Sequence, residues 1–303
     1  ASVTTNNYGF FSLTLPSGQQ SVRISAGDYE GVTLVRNVQS DEQISIYLLP
    51  RADEIDEVRI RAKRNDNVRA VDISTQSITG KVIKKIPAFL GEADVIKSIQ
   101  LLPGVTTVGE GATGFNVRGG GIDQNLVLMD DAPVFNSAHL FGFFSIFNPD
   151  AVKDVQLIKG GIPAKYGGRL SSVLDVITKD GNNRDYQVNG GVGTIFSRLT
   201  FEGPVVKNKA SFLVSGRRSY VDVLAKPFLN DDLEGSQFYF YDFTAKFNYD
   251  NGKDKFFVSS YIGDDLFFAA NAFGVKWGNS TLSARWNHLF NDKLFSNLTY
   301  YYS

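Results

Sequence analysis

The chain has 303 residues, which is enough for two or three domains with a sizeable buried core. Its 31 basic and 32 acidic residues leave a net charge of -1, so the overall charge does not point to nucleic acid. It has no cysteine, which excludes a disulfide scaffold and a thiolate metal site. Its longest apolar run, residues 140–147, is far shorter than the roughly 20 residues that a membrane-spanning helix requires.

Residues 1–50 alternate apolar and polar side chains in short runs that glycine and proline separate. Alternation of this kind predicts a small antiparallel β-sandwich. Its strands are expected at residues 11–15, 22–26 and 44–48.

Residues 51–87 are rich in charge and poor in large apolar side chains, which predicts a linker without a packed core. Inside it, Ile55, Val58 and Ile60 form a short extended segment that charged residues flank. Taken alone, this segment is explained equally well as a solvated strand of the linker or as a segment with a binding function.

Residues 88–182 predict a compact α+β domain with a four-stranded sheet. A helix is expected at residues 92–102, where Val95, Ile96 and Ile99 share one face and Pro103-Gly104 ends it. The strands are expected at residues 115–118, 125–129, 152–158 and 173–178.

From residue 183 to the end, long runs alternate strictly between apolar and polar side chains. The clearest is residues 237–250, which is long for a soluble strand but suits a tilted strand that crosses a hydrocarbon layer. We expect about six such strands, too few to close a membrane barrel, since known barrels start at about eight. The chain opens without Met and ends in a tyrosine-rich run, so we expect it to be a fragment.

Two glycine-containing motifs have competing explanations. Residues 109–114 fit the G-x-G-x-x-G pattern, but a helix precedes them and a strand follows, which is the reverse of a dinucleotide-binding site. Arg118, followed by Gly119 and Gly120, suits either an anion-binding nest or a buried ion pair, and we favour the ion pair.

Catalytic and metal chemistry have little support in the sequence. Asp130-Asp131 is better explained as a hairpin turn than as a catalytic or metal-binding pair of carboxylates. His139 and His288 are the only histidines, and they lie far apart. We therefore expect no catalytic residue, no bound metal, no cofactor and no enzymatic activity.

The central residues of the chain resemble the plug of a TonB-dependent outer-membrane receptor. The resemblance rests on GFNVRGGGIDQNLVLMDDAPVFNS and on the family pattern K-G-x-x-x-x-x-Y-G at residues 159–167. It implies a mainly β protein with four parts: a truncated carboxypeptidase-regulatory-like β-sandwich (1–50), a linker with a Ton box (51–87), a plug (88–182) and the start of a transmembrane β-barrel (183–303). The family barrel has about 22 strands.

The resemblance also implies roles for particular residues. Capture by TonB through strand addition is implied for Ile55, Asp56, Glu57, Val58, Arg59 and Ile60. A structural role in the plug is implied for Arg118, Gly119, Gly120, Gly160, Tyr166, Gly167 and Arg169. Ligand binding at an apical plug loop is implied for Asn136, Ser137, His139, Phe141, Phe143 and Phe144, unless these residues pack against the barrel wall instead.

The function that the resemblance implies is TonB-dependent uptake of a glycan, peptide or metal chelate across the outer membrane of a Gram-negative bacterium. The N-terminal domain and the Ton box would be periplasmic. The partners would be TonB with its inner-membrane energising complex, a small ligand and no nucleic acid. The sequence is similar to receptors of the Bacteroidota. Its linker lacks the EVVVTGYG motif that is typical of those that pair with an outer-membrane lipoprotein, so a lipoprotein partner stays an open possibility. The alternative is a plugged barrel that serves as a scaffold in a larger assembly.

Overall fold

The computed structural model describes residues 2–5, 9–26, 29–48, 74–86, 92–109, 112–228, 235–270, 272–291 and 294–303. The chain divides into two compact units. The first comprises Ala1–Glu57 with Leu289–Ser296, and the second comprises Val58–His288 with Asn297–Ser303. In the part of the chain that the structure describes, no helix is both long enough and apolar enough to span a membrane.

The N-terminal region contains one antiparallel hairpin, formed by β1 (Gly18–Ile24) and β2 (Val32–Val38). The strand expected at residues 22–26 lies partly within β1. The segments 11–15 and 44–48 are not strands, so the described residues form a hairpin rather than the expected sandwich. No described residue between 2 and 48 is fully buried, so the described residues of this region show no second apolar layer of the kind that a sandwich has.

The central region, which we call the plug domain, is an α+β domain. Its helices are α1 (Gly80–Lys85) and α2 (Val95–Gln100), with short 3-10 turns at Ile122–Gln124 and Leu140–Gly142. Its strands are β3 (Thr75–Thr79), β4 (Val105–Thr107), β5 (Phe115–Val117), β6 (Asn125–Met129), β7 (Ala132–Pro133), β8 (Ala138–His139), β9 (Phe144–Ser145), β10 (Val152–Ile158) and β11 (Ser172–Thr178).

The main sheet of the plug domain has five strands in the order β3-β10-β11-β6-β7. Three of them, β6, β10 and β11, were predicted, whereas the predicted strand at residues 115–118 forms β5, which pairs with β4 in a separate two-stranded sheet. The edge strands β3 and β7 were not predicted, and β3 comes from the segment predicted as linker. It joins the sheet because Ile78 lies opposite Val155 and both side chains are buried in the core. Helix α2 begins at an Asp94 cap, whose carboxylate accepts a hydrogen bond from the Lys97 amide.

The C-terminal region forms one antiparallel sheet of seven strands in chain order, which we call the wall sheet. Its strands are β12 (Gln187–Val192), β13 (Phe196–Val206), β14 (Ala210–Ser219), β15 (Gln237–Asp250), β16 (Asp254–Ala269), β17 (Phe273–Asn291) and β18 (Leu294–Tyr302). Helix α3 (Val221–Ala225) and a 3-10 turn (Lys226–Phe228) lie between β14 and β15. The sheet is open, with β12 and β18 at its edges.

The wall sheet has an inverted polarity. Its buried face carries polar side chains such as Thr200, Ser215, Asp242, Thr244 and Ser283. Its exposed face is apolar and includes Leu199, Phe243, Phe247, Ile262, Leu282 and Trp286. A soluble sheet buries its apolar face, whereas a membrane barrel turns that face to lipid and keeps polar groups inside. The strict alternation seen in the sequence therefore places the apolar side chains outward.

Candidate functional site

The predicted ligand-binding residues lie on one loop of the plug domain, residues 136–145, which we call the apical loop. Strands β8 and β9 pair with His139 opposite Phe144. Between them, Leu140 and Phe141 adopt positive φ angles of 48° and 57°, followed by Gly142 at 105°. Left-handed backbone at two non-glycine residues costs about 1 kcal/mol or more for each, so outside contacts must hold this shape.

The apical loop is held by what we call the apical contact, which joins His139 to Asp242, Asp265 and Arg217 of the wall sheet. His139 Nδ1 lies 2.7 Å from Asp265 Oδ2, and Nε2 lies 3.2 Å from Asp242 Oδ2. The Leu140 amide donates to Asp265 Oδ1 at 2.8 Å. Asp265 therefore fixes two successive residues at the strained turn.

Ring stacking completes the surroundings of His139. Its ring stacks on Phe240 with centroids 4.3 Å apart and planes within 10°. The Tyr261 hydroxyl lies 3.3 Å from Nε2. His139 and Asp242 are both buried, so water cannot replace these partners without opening the contact.

Arg217 carries the apical contact back into the plug domain. Its Nε donates to Asp242 at 2.7 Å, and its terminal nitrogen donates to the Ser145 carbonyl at 2.8 Å. The Ser145 amide in turn donates to Asp94 Oδ2 at 2.7 Å. One chain of hydrogen bonds thus runs from the apical loop through the wall sheet to the residue that caps α2.

A second group of ion pairs, which we call the basal contact, joins Asp130, Asp131 and Asp180 to Lys246 and Arg285 of the wall sheet. Lys246 Nζ lies 3.2 Å from Asp130 and 3.1 Å from Asp180. Arg285 Nε donates to Asp131 at 3.0 Å. Burial by itself would raise the pKa of Asp130, but Lys246 and hydrogen bonds from Thr178 hold it below its ordinary value.

A third set of pairs centres on Arg198 of the wall sheet. Its guanidinium donates to Glu92 at 2.7 Å and to Asp150 at 2.8 Å, and Lys84 also pairs with Asp150. In all three places the wall sheet supplies a cation. The plug domain supplies the carboxylates at Arg198 and at the basal contact, and an imidazole and a carbonyl at the apical contact.

The apical loop also touches aromatic side chains of the wall sheet. The Phe141 ring lies 5.0 Å from the ring of Phe267 and 4.9 Å from that of Trp277. Beside them, Asn279 Nδ2 donates to the Asn136 carbonyl at 2.6 Å. Phe141 thus joins aromatic side chains of two wall strands.

The structure divides the six predicted ligand-binding residues into two sets. Phe141 and Phe143 are exposed by 63% and 46%, while Asn136 and Ser137 are half-buried. His139 and Phe144 are buried, with 1% and 4% exposure, because they pack against Phe240 of the wall sheet. These two side chains have no surface to offer to a ligand and instead position the loop.

The Arg118 region differs from the expectation of a buried ion pair. Arg118 is exposed, adopts φ 49°, and donates to the Ser74 hydroxyl at 3.1 Å; among the described residues it forms no salt bridge. Gly119 follows with φ 80°, and a Cβ on Gly120 would lie 2.3 Å from the Ser171 hydroxyl. The glycines are therefore required by turn geometry and by close approach.

The segment that connects β10 and β11 carries the other predicted structural residues. A Cβ on Gly160 would lie 2.6 Å from the Arg118 guanidinium. Tyr166 packs beside Leu128, Ile158 and Val173. Gly167 and Arg169 are exposed, and Arg169 donates to the carbonyl of Gly168.

Asp175 lies in the middle of β11 next to Tyr166, whose hydroxyl is 3.4 Å from Oδ2. Burial, reinforced by the nearby carboxylates of Asp131 and Asp130, raises the pKa of Asp175 to about 7. It is therefore close to half-protonated at neutral pH.

Asp130-Asp131 was predicted as a hairpin turn, and the structure confirms it. Both residues have positive φ, at 48° and 71°, between β6 and β7. Their part in the basal contact was not predicted. The sequence feature that could have revealed the basal contact is a charged residue at one of the polar positions of an alternating strand, as Lys246 is in β15.

The remaining predictions concern the Ton box and metal binding. The Ton-box residues Ile55, Asp56, Glu57, Val58, Arg59 and Ile60 lie outside the described residues. Across the described ranges, no group of three or more His, Asp and Glu side chains is arranged to hold a metal ion.

Comparison with known families decides what the plug domain is. Residues 67–173 match the model of the TonB-dependent receptor plug domain. The chain carries the plug domain of a TonB-dependent receptor. The matched range includes β3 and α1, in agreement with their place in the folded domain.

Solved structures share the fold of the plug domain and the wall sheet together. The siderophore receptor PirA from Acinetobacter baumannii is 15% identical, with a TM-score of 0.55, over 80% of this chain and 41% of its own. The ferric enterobactin receptor PfeA from Pseudomonas aeruginosa, as a point mutant, is 15% identical, with a TM-score of 0.51, over 78% and 40%. The copper transporter OprC is 13% identical, with a TM-score of 0.52, over 75% and 36%.

These matches define the extent of the similarity. The chain spans about 40% of the length of the first two receptors. No curated protein sequence matches it. At this identity the shared feature is the fold: a plug domain held against an open, partial β-barrel.

Proposed function

We propose that the protein is a receptor for TonB-dependent active transport of a small ligand across the outer membrane. The observation that carries the proposal is the inverted polarity of the wall sheet around a bound plug domain. An apolar outer face suits lipid, and a polar inner face that is filled by a separate domain suits a gated pore.

The proposed mechanism uses the two ends of the plug domain. Ligand binds at the apical loop, where Phe141 and Phe143 are exposed. Binding favours the state in which residues 55–60 are available to TonB in the periplasm, and TonB then pulls the plug domain partly out of the barrel. Such coupling requires that the ligand bind this state more tightly than the resting state.

The chain of hydrogen bonds from His139 through Arg217 to Asp94 supports this coupling. A shift of the apical loop would change the partners of Arg217, and thereby those of the Ser145 amide and the α2 cap. The energetic coupling along this chain is part of the proposal.

The proposal can be tested by deleting residues 54–61 from the intact receptor. We expect the deletion to abolish capture by the purified periplasmic domain of TonB and to abolish uptake. Folding of the barrel, measured by heat-modifiable migration in gels, should be unchanged because these residues precede the plug domain. Equal TonB capture by the deleted and intact receptors would refute the proposal and favour the scaffold alternative.

A further inference from the structure

One patch on the inner face of the wall sheet combines several aromatic side chains that the plug domain does not fully cover. Below the apical loop that face carries Asp242, Thr244, Ser259, Thr281 and Ser283, all buried under the plug domain. Beside the loop and beyond it, the same face carries four aromatic side chains. They are Phe238, Phe267, Phe273 and Trp277, and together with Phe141 we call them the aromatic patch.

Strand register shows that these side chains share one face. Phe238 lies opposite Phe267, and Trp277 lies opposite Asp265, which contacts His139 on the inner side. Residues directly opposite in an antiparallel pair project to the same face. The aromatic girdle of a membrane barrel faces lipid, so these inward rings do not belong to one.

The five rings form a continuous surface. Phe267 lies 4.7 Å from Phe238, 5.6 Å from Phe273 and 5.0 Å from Phe141, measured between ring centroids. Phe141 also contacts Trp277 at 4.9 Å. Phe141 and Phe273 remain exposed by 63% and 58%. Other apolar side chains of the inner face, such as Phe240 and Tyr261, are buried under the plug domain, whereas this patch stays partly exposed. A contiguous exposed group of rings of this kind suits a binding site.

The charges near the patch are turned away or already paired. Asp264 and Lys276 lie on the opposite face of the sheet and approach each other at 3.7 Å. Asp265 is occupied by His139 and the Leu140 amide. Recognition of an anionic ligand relies on arginine or lysine, and the described part of this patch presents neither.

Polar groups at the border of the patch are amides. Asn279 lies two residues from Trp277 on the same face, and it meets Asn136 of the apical loop. Amides that adjoin aromatic faces suit a ligand with hydroxyl groups around a ring whose C–H bonds face the aromatic surface.

We propose that the aromatic patch is a binding site for an uncharged ring ligand, specifically a saccharide, which stacks on Phe141 and Trp277 and meets Asn136 and Asn279 at its edge. The inference rests on the proposed transport function and narrows its ligand class. Anionic chelates are disfavoured at this patch.

The test uses the intact receptor in detergent, titrated by calorimetry and by tryptophan fluorescence. The probes are neutral hexasaccharides (maltohexaose, cellohexaose and mannohexaose), benzyl alcohol as an uncharged aromatic, and an anionic ferric tris-catecholate. We expect saturable binding of at least one hexasaccharide, with weaker binding of the other two probes. If only benzyl alcohol or only the catecholate binds, or if no hexasaccharide binds, the proposal is wrong.

Matched variants locate the site. Trp277→Ala and Phe141→Ala should each weaken hexasaccharide binding by about three- to tenfold, the range expected for loss of one stacked ring. Trp277→Phe, which keeps a ring, should lose less. Trp286→Ala serves as the control, because this ring stacks on Phe256 at the outer face and should leave affinity within about twofold. Equal effects at Trp277 and Trp286 would refute the assignment.

A parallel assay separates the two proposals. TonB capture by the intact receptor, with and without residues 54–61, depends on the transport function but not on the ligand class. Normal TonB capture without saccharide binding would overturn only the ligand inference. No TonB capture by the intact receptor, or equal capture by the intact receptor and the variant that lacks residues 54–61, would overturn the transport proposal, whatever the saccharides do.

Discussion

The apical contact and the basal contact join the plug domain to the same wall sheet with different chemistry. At the basal contact, lysine and arginine meet carboxylates directly, and Lys246 is buried between Asp130 and Asp180. At the apical contact, the plug domain offers an imidazole and backbone groups, held by Asp242, Asp265 and ring stacking. At the basal contact, removing one charge would leave another charge buried without a partner. At the apical contact, the His139 ring and the Leu140 amide hold the loop in its strained conformation through hydrogen bonds to Asp265.

Removing Lys246 should have the largest effect. Lys246→Ala leaves Asp130 buried beside Asp180 without their shared cation. Breaking a buried pair in this way is expected to lower the free energy of unfolding by about 3–5 kcal/mol. Denaturant unfolding of the receptor in micelles measures it. Lys255→Ala, on the neighbouring strand, removes a more exposed pair with Asp250 and should cost about 1 kcal/mol or less. Similar costs at both lysines would show that the basal contact is not buried in solution.

The two histidines allow a matched test of the apical contact. His139→Ala should lower the free energy of unfolding by about 2–4 kcal/mol, since it removes a buried hydrogen-bonded ring that also stacks on Phe240. Hydrogen exchange at the Leu140 amide should accelerate strongly. His288→Ala removes a half-buried pair with Asp254 and should cost about 1 kcal/mol or less. Unchanged protection of Leu140 in the first variant would contradict the proposed role of His139.

Asp175 lies near the basal contact, where burial raises its pKa more than Lys165 and Arg285 lower it, and it should give stability a distinct pH dependence. Its pKa of about 7 in the folded protein exceeds the ordinary value of 3.8, so the folded state binds the proton more tightly. Its contribution is fully present below about pH 4 and is lost as the pH rises through about 7. Asp175→Asn should flatten this slope in melting temperature and raise stability at pH 8 by about 1–3 kcal/mol. An unchanged slope would mean that Asp175 titrates normally.

Substitution of Gly160, which lies outside both contacts, should have the smallest effect on the free energy of unfolding. Gly160→Ala places a Cβ 2.6 Å from the Arg118 guanidinium, which is the mobile end of an exposed side chain and can move away. We expect a loss below about 1 kcal/mol. In Gly80→Ala the Cβ would lie 2.2 Å from the Val152 carbonyl oxygen, which is backbone, so the loss should be clearly larger. Thermal unfolding of the two variants measures the difference, and equal losses would refute this explanation.

Much of the fold follows from patterns within the sequence. The alternation in residues 237–250 agrees with the orientation of β15, because Asp242, Thr244 and Lys246 are buried, whereas Tyr241, Phe243 and Phe247 on the other side are exposed. The turn at Asp130-Asp131 was predictable from residue type. Strand β3 was missed because Thr75–Thr79 is largely polar, and only its pairing with β10 makes it a strand.

The site was less predictable than the fold. The sequence identified the apical loop but not which of its side chains are buried, because that depends on Phe240 and Asp265, more than 90 residues away. In the sequence, Arg217 and Lys246 look like ordinary polar residues of alternating strands. Their role becomes visible only in the fold, where they contact Ser145 and Asp130 of the plug domain. Partners that are distant in the chain are invisible to local patterns, and this limited the prediction.

The apical contact has a consequence for the order of assembly. Arg217, Asp242 and Asp265 come from three consecutive strands, and a one-residue slip between any two would turn one of them to the outer face. His139 can therefore find its partners only after β14, β15 and β16 have paired in the native register. The apical loop can therefore form its native contacts only on a sheet whose strands are in the native register. In pulsed hydrogen exchange during refolding, we expect the Leu140 amide to become protected after the amides of these three strands.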